Sequence, residues 1–439
     1  MKHRRVLRTL LTLIIINATS YGVEASDKVQ IPLVQESLDL PTAEQISDAG
    51  PMILRQAITL ALTNNPDLQE SELLIGALEA RASQEGKRPN PELDIEFDNF
   101  AGSGPLSGFK GLETTIGVGQ TIELGNKRGL RVDMADTETE IAALSFQILR
   151  LEIITEVRKH FTEVLGAQKK LELNQKLLDL AGRFNSTIDT LVKAGRYSPA
   201  EKARAQVEYS TVQVSIIESR RNLKSARLKL ASTWGGDGSF SQVEGNLIGA
   251  SLDSKAIMNA TQISENARVR LSELEVISQR SEAKLAEAMR IPDPTIGAGF
   301  RRFSETSDRS FVTSLSIPIP VLNRNQGSIQ EAHINVQRSE QSLNSTRTAL
   351  LRGINLELET IQSLEEILKT LEETIIPEAS KAYEIINRNY RLGQYSTLDV
   401  LDAQRKLFEA QINYLDMQLD YNVSIIELEG LLGHSVFNQ

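Results

Sequence analysis

A chain of 439 residues carries 58 Asp and Glu against 48 Lys and Arg, a formal net charge of −10, with 40% hydrophobic and 24% charged residues. That composition fits a folded chain and excludes both a disordered one and a polytopic membrane protein, while the acidity argues against nucleic-acid binding. With no cysteine and four histidines, disulfides, thiolate metal sites, cysteine nucleophiles and cysteine-borne lipid are excluded, and an enzyme would have to work with carboxylates, lysines or hydroxyls.

The first residues read as an export signal. Lys2, His3, Arg4, Arg5 and Arg8 form a basic stretch, the run Leu10 to Ile16 is apolar, and Val23-Glu24-Ala25 is a small-x-small site; together they predict a cleavable signal over 1–25. The alternative is a membrane anchor, but the run is about half of the ~20 residues a spanning helix needs. Residues 26–50 follow as an extended segment. No later window holds 18 consecutive apolar residues, so any contact with a bilayer must be made by a β-barrel.

The chain is an internal duplication. Gly195-Arg196-Tyr197-Ser198 and Gly393-Gln394-Tyr395-Ser396 lie 198 residues apart, and Ala205-Gln206 with Ala403-Gln404, Leu124 with Leu322, Gly129 with Gly327 and Gly235 with Gly433 obey the same offset. Pro89-Asn90-Pro91 and Pro292-Asp293-Pro294 lie 203 apart, so the halves differ in length within the hairpin loop, where variation is tolerated. This gives a first repeat over 51–236, a linker over 237–262, a second repeat over 263–434 and a tail over 435–439.

Each repeat reads in one order. A helix (about Met52 to Arg88, and about Ser264 to Arg290) stops at Pro-x-Pro, because proline cannot continue it. A strand pair follows over 92–124: Leu93, Ile95 and Phe97 alternate with Glu92, Asp94, Glu96 and Asp98, the Gly/Ser-rich loop 101–111 intervenes, and Ile116, Val118, Ile122 and Leu124 keep the period. In the second repeat, over 295–320, Ile296, Ala298 and Phe300 match Phe311, Leu315, Ile317 and Ile319. Long helices are expected over 126–194 and 324–392, each roughly 100 Å at ~1.5 Å per residue. Ile141, Leu144, Ile148 and Leu151 show coiled-coil spacing. Gly195 and Gly393 suit the left-handed position that ends a helix. Ser198-Pro199-Ala200-Glu201 and Ser396-Thr397-Leu398-Asp399 read as capping boxes that start return helices over 198–235 and 396–433.

The strands have the length and alternation of membrane strands. Four cannot close a barrel, since ~8 is the practical minimum, so oligomerisation is expected; three chains supply twelve strands, with Asp94, Glu96, Asp98 and Arg301 facing the lumen. The alternative is an ordinary soluble sheet.

The duplicated order, the Ala61-Leu62-x-x-Asn65-Pro66-x-Leu68 segment and Asp399-Val400-Leu401-Asp402-Ala403 resemble the TolC-like outer-membrane efflux proteins over essentially the whole mature chain. Pro89-Asn90-Pro91-Glu92-Leu93, Glu113-Thr114-Thr115 and Gln120-Thr121-Ile122-Glu123-Leu124-Gly125-Asn126-Lys127-Arg128 resemble most closely the CzcC-like, heavy-metal branch. The resemblance implies a mainly α fold with a small β part: duplicated helical hairpins that form a trimeric α-barrel tunnel in the periplasm, below a 12-stranded barrel in the outer membrane of a Gram-negative bacterium. It implies a passive exit duct, with no enzyme activity and no cofactor, docked on a periplasmic adaptor (membrane fusion protein) and an inner-membrane pump of the resistance-nodulation-division class. It also implies a periplasmic gate: Tyr390 stands at the family's constriction tyrosine, Asp399 and Asp402 match the two ring aspartates, Glu201 matches the first-half carboxylate, and Tyr395 replaces an arginine.

Plainer roles compete at each position. Asp399 and Glu201 fit capping boxes without any gate, and Tyr390 fits a packed interface tyrosine. Asp402 has no capping role; it lies one turn beyond Asp399, so three chains would present six carboxylates that favour cations. His160, His333 and the methionines Met52, Met134, Met258, Met289 and Met417 show no ligand spacing, so no metal site is expected here. The reading is a heavy-metal exit duct. Its alternatives are a drug-efflux or type I secretion channel and a soluble periplasmic coiled-coil adaptor.

Overall fold

The computed structural model describes residues 51–247, 265–390 and 392–433. The signal, the 26–50 segment, the later part of the linker with Met258, and the 435–439 tail with neighbouring His434 lie outside the described residues.

Strand β1 (Pro51–Ile53) pairs in parallel with β4 (Gln242–Glu244). The helix expected from Met52 to Arg88 is instead two, α1 (Leu54–Asn64) and α2 (Pro66–Glu85). Pro66 has no N–H to give a continuing helix, and Asn65 turns the break into a joint. Its Oδ1 accepts from the Asp67 and Leu68 amides at 2.9 and 3.3 Å, while its Nδ2 donates 2.9 Å to the Thr233 carbonyl. The second repeat does the same with Asn266, which caps α5 (Ala267–Ala288) at the Arg268 amide, 3.0 Å, and donates 2.8 Å to the Leu431 carbonyl. In each repeat, an asparagine ties the start of the short helix to the end of the return helix, α4 (Pro199–Ser232) or α8 (Thr397–Leu432).

Four strands form one antiparallel sheet in the order β2 (Glu92–Asp98), β3 (Glu113–Thr121), β5 (Thr295–Phe303), β6 (Arg309–Ser316). The strands are shorter than the alternation implied: Ile122, Leu124, Ile317 and Ile319 fall beyond them. The register sets Ile95, Ile116, Phe300 and Phe311 in one row. Leu93, Ile95, Phe97, Ile116, Val118, Ile296, Phe300, Phe311 and Leu315 are 51 to 67% exposed, so a largely apolar face, which also carries Thr114, Arg302, Arg309 and Thr313, lies uncovered by the described residues.

Helix α3 (Lys127–Lys193) runs unbroken for 67 residues, roughly 100 Å. Its counterpart does not. The helix expected over 324–392 is α6 (Gln326–Thr370), a π turn at Leu371–Ile375 and α7 (Ile376–Tyr390). The Ile376 amide bonds back to the Leu371 carbonyl, and Pro377 next to it has no N–H, so the widened turn spares the ladder a direct clash. A π turn takes in one extra residue. Ala135, Ile153, Val157 and Val164 are buried in α3, as are Ala332, Leu350, Ile354 and Ile361, each 197 residues later, in α6; at Gly195 and Gly393, beyond the π turn, the offset is 198.

Helix α2 packs on α3, α3 on α5 and α5 on α6, the same order as the strands β2, β3, β5 and β6 that adjoin them in the chain. The largest core joins α1, α3 and α4 through Val157, Phe161, Val164, Leu223 and Leu230; a second joins α6 to α8 through Ile354, Ile361, Tyr421 and Ile425. Of the expected seam, Leu144 is buried, Ile141 and Ile148 are half-buried and Leu151 is exposed. The inward stripe instead uses Ala142, Ile153 and Val157, because α3 faces different helices along its length.

Replacing Asn65 by Ala removes the cap and the clasp on Thr233 together, and is expected to lower stability by about 1–2 kcal/mol. Asn65→Asp keeps the cap acceptor and should lose less. Thermal unfolding in detergent measures both, and an Asn65→Ala protein that melts like the parent contradicts the joint.

Candidate functional site

The helical hairpins turn at Gly195 and Gly393, with φ of 71° and 75°, the left-handed region glycine enters without strain. Between the two turns lies a small aromatic core. Tyr390 is 6% exposed and packs with Ile188, Ala205 and Val400. Its ring lies 5.8 Å from Phe184 and 6.1 Å from Tyr197, centroid to centroid, and its hydroxyl is 3.3 Å from Thr397 Oγ1. Burial, with Tyr197 and Glu201 nearby, pushes the Tyr390 hydroxyl up to about 12. Tyr390 is therefore a neutral, packed residue joining α7 to the α3–α4 turn. Tyr197 was not singled out from the sequence, although the repeat pairs it with Tyr395. The two diverge in the fold: Tyr197 stacks inward, whereas Tyr395 is exposed.

The carboxylates separate by environment. Asp399 closes a capping box, accepting from the Ser396 hydroxyl at 2.7 Å and the Ser396 amide at 2.8 Å while its own amide reaches Ser396 Oγ at 3.3 Å. Those two bonds hold its carboxyl below the ordinary range. The box expected at Ser198 does not form: Ser198 makes no side-chain cap bond, and Glu201 Oε1 instead takes Arg204 at 3.2 Å. A guanidinium one turn away attracts a carboxylate more strongly than a neutral amide does. Asp402 stays exposed, yet Lys406 Nζ is 3.4 Å away on the same helix, a partner the sequence reading overlooked although the i, i+4 spacing displays it. Asp189 is likewise neutralised, by Lys193 at 2.7 Å and by Lys202. Among these acids, Asp399 and Asp402 are the exposed pair on one helix.

At the sheet, Arg301 organises the polar face. Its Nε donates to Thr115 Oγ1 at 2.8 Å and its Nη1 to Glu113 Oε2 at 3.1 Å, with Asp98 and Glu96 at 3.7 and 3.8 Å. Asp94 lies on the same face, opposite Gly117. Below the sheet, the nearly buried Lys127 holds Asp293 at 2.8 Å, and Asp293 in turn accepts from the Leu124 amide at 2.8 Å. This locks the first repeat's helix start to the second repeat's Pro-x-Pro turn.

Among the described residues no group of three or more His, Asp or Glu side chains could hold a metal ion, and no helix is long and apolar enough to cross a membrane. His160 sits between Glu156 at 3.5 Å and Glu163 at 3.3 Å, and His333 is 3.1 Å from Glu287.

A short sheet with an uncovered apolar face, carried on duplicated hairpins of very long helices, defines the class of outer-membrane channel proteins. The sequence profile of the outer membrane efflux protein family matches residues 57–236 and 261–434, and the chain belongs to that family, with its place in the outer membrane. It is 28% identical over 368 residues to the cobalt-zinc-cadmium resistance protein CzcC of Cupriavidus metallidurans, covering 84% of this chain and 86% of that protein. It is 23% identical over 305 residues to the nickel-cobalt-cadmium resistance protein NccC of Alcaligenes xylosoxydans xylosoxydans, covering 69% and 68%. Its fold is that of a solved membrane protein from Pseudomonas aeruginosa (TM-score 0.75, 18% identity, 87% of this chain and 90% of that one) and of CusC (TM-score 0.73, 17% identity, 87% and 92%). The family assignment sets aside the soluble-adaptor alternative.

A tyrosine whose folded pKa is raised stabilises the fold below its ordinary value of 10.0 and loses that contribution as pH rises towards about 12. Tyrosinate absorbance should therefore lose a late-titrating component in Tyr390→Phe, and the parent should lose thermal stability across that interval more steeply than the variant. Identical titrations would contradict the burial. Tyr390→Ala, which empties the aromatic core, is expected to cost about 3–5 kcal/mol.

Proposed function

We propose that three copies of this chain assemble into the exit duct of a tripartite efflux system that releases heavy-metal cations. The observation that carries the reading is the four-stranded sheet, apolar on one face and unpaired at β2 and β6. In lipid, unpaired backbone groups cost several kcal/mol each, so those edges must be joined between chains. Two copies would give eight strands, whose interior side chains fill; three give twelve and leave a lumen. On this reading Asp94, Glu96, Asp98 and Arg301 line that lumen, and the long helices form a tunnel through the periplasm. The energy comes from a resistance-nodulation-division pump reached through an adaptor, and the chain itself works as a channel with no catalytic chemistry. The metal cargo rests on the resistance proteins CzcC and NccC, to which the chain is similar over most of its length.

The hairpin turns form the periplasmic mouth, closed by the Tyr390 core, with Asp399 and Asp402 of three chains exposed around it. Lys406 tempers this ring, since it stands 3.4 Å from Asp402.

Growth of a deletion strain and its complemented parent on graded cobalt, zinc, cadmium, nickel, copper and silver salts, beside dyes and antibiotics, tests the cargo. Selective metal hypersensitivity is the expected outcome; sensitivity confined to organic compounds moves the chain to drug efflux. In reconstituted channels, Asp402→Asn should lower cation selectivity and Lys406→Ala should raise it. Each change is bounded at roughly fivefold, the effect of about 1 kcal/mol per charge in water. Unchanged selectivity in both variants sinks the acidic ring.

A further inference from the structure

The two repeats are bound unequally, and the inequality specifies how one copy meets the next. Helices α4 and α8 correspond with an offset of 198: Ala205, Val212, Leu223 and Leu230 are buried, as are Ala403, Ala410, Tyr421 and Leu428. Over the buried positions Ala135, Ile153, Val157, Val164 and Asn174, α3 corresponds to α6 and its π turn with an offset of 197. Within the chain, α8 enters the groove between α3 and α4 and leaves about 310 Å³ of it open beside Leu419. Leu415 is 8% exposed there, Asp416 pairs with Lys170 at 2.9 Å, and Leu419 crosses Gly166 so closely that a Cβ on that glycine would lie 2.3 Å from a leucine methyl. The counterpart groove, between α6 and α8, is open. It encloses about 640 Å³ and is lined by Ser363, Glu366, Ile367, Leu371, Asn413 and Met417 among others. The residue matching Leu415 is Ile217 on α4, and it is 66% exposed.

Resting on the trimer proposed above, we infer that α4 of a second copy occupies this groove, with Ile217 seated against Ile367 and Leu371 and Arg221 crossing Ser363 beside Glu366. The register follows from the offsets: Leu415 corresponds to Ile217, Leu419 to Arg221, Gly166 to Ser363 and Lys169 to Glu366. Ser363, like Gly166, is small enough for the neighbouring helix to cross closely. The charges across it are mixed: Arg221 faces Glu366, while Glu218, which corresponds to Asp416, meets Ile367 where the filled groove has Lys170. A neighbour's α8 in the same register would bring Leu419 and Asp416, without a cation, against Glu366. The occupant is therefore a second copy. Each copy offers one such groove and one such helix, the head-to-tail arrangement that closes into a ring.

The chain has no cysteine, so a designed pair reports without background. Ser363→Cys with Arg221→Cys, oxidised in isolated outer membranes or bridged by a short bis-thiosulfonate, is expected to give covalent dimers and trimers on non-reducing gels. Neither single variant should link, nor should Ser363→Cys with Ser210→Cys, which lies about 16 Å back along the helix. As a second readout, Arg221→Glu should lower the temperature at which the trimer dissociates in detergent, and Glu366→Arg in the same chain should restore it. Trimers seen by light scattering that fail to link at 221 and 363, or link equally at 210, overturn the register and leave the trimer standing. A monomeric parent overturns both.

Discussion

A β-sheet in lipid must have every backbone N–H and C=O paired, and this chain's sheet cannot meet that condition alone. β2 and β6 are both edges, one face is largely apolar, and none of the described residues covers either. The remaining architecture follows from that shortfall. The helices beneath the strands keep the strand order, α2–α3–α5–α6, so both layers end at the same two boundaries. A neighbour that satisfies one layer then satisfies the other.

On the proposed trimer, one folding unit used twice per chain gives a sixfold wall from three chains. There the copies differ where a contact within the chain and its counterpart between chains need different chemistry. Lys127 and Asp293 form an almost buried ion pair inside the chain; the second repeat's helix starts at Gln326 and the first repeat's turn carries Asn90, so that junction has neutral amides. Asn65 and Asn266, by contrast, keep the same clasp on the return helix in both halves, because that joint lies within each repeat and meets the same partner both times.

Much of this was legible locally. Strict alternation in Glu92 to Asp98 fixed both strand and faces, the glycines at 195 and 393 marked the turns, and the paired motifs revealed the repeat before any contact was known. The failures have a common cause, which is that a side chain with two partners chooses by distance. Glu201 had the spacing of a capping box but went to Arg204, and Asp402 gained Lys406. Pro377 lies within the long helix expected over 324–392, and there it goes with a π turn that the periodicity did not mark.

The sequence by itself determined the order of the main helices and strands and the family, since periodicity, proline and glycine act on neighbours along the chain. Only the tertiary structure decided that Tyr390 is packed with Tyr197 and not displayed, and which of two equivalent grooves is filled. Those outcomes depend on residues more than a hundred positions apart competing for the same few ångströms, and no local pattern encodes the result of that competition.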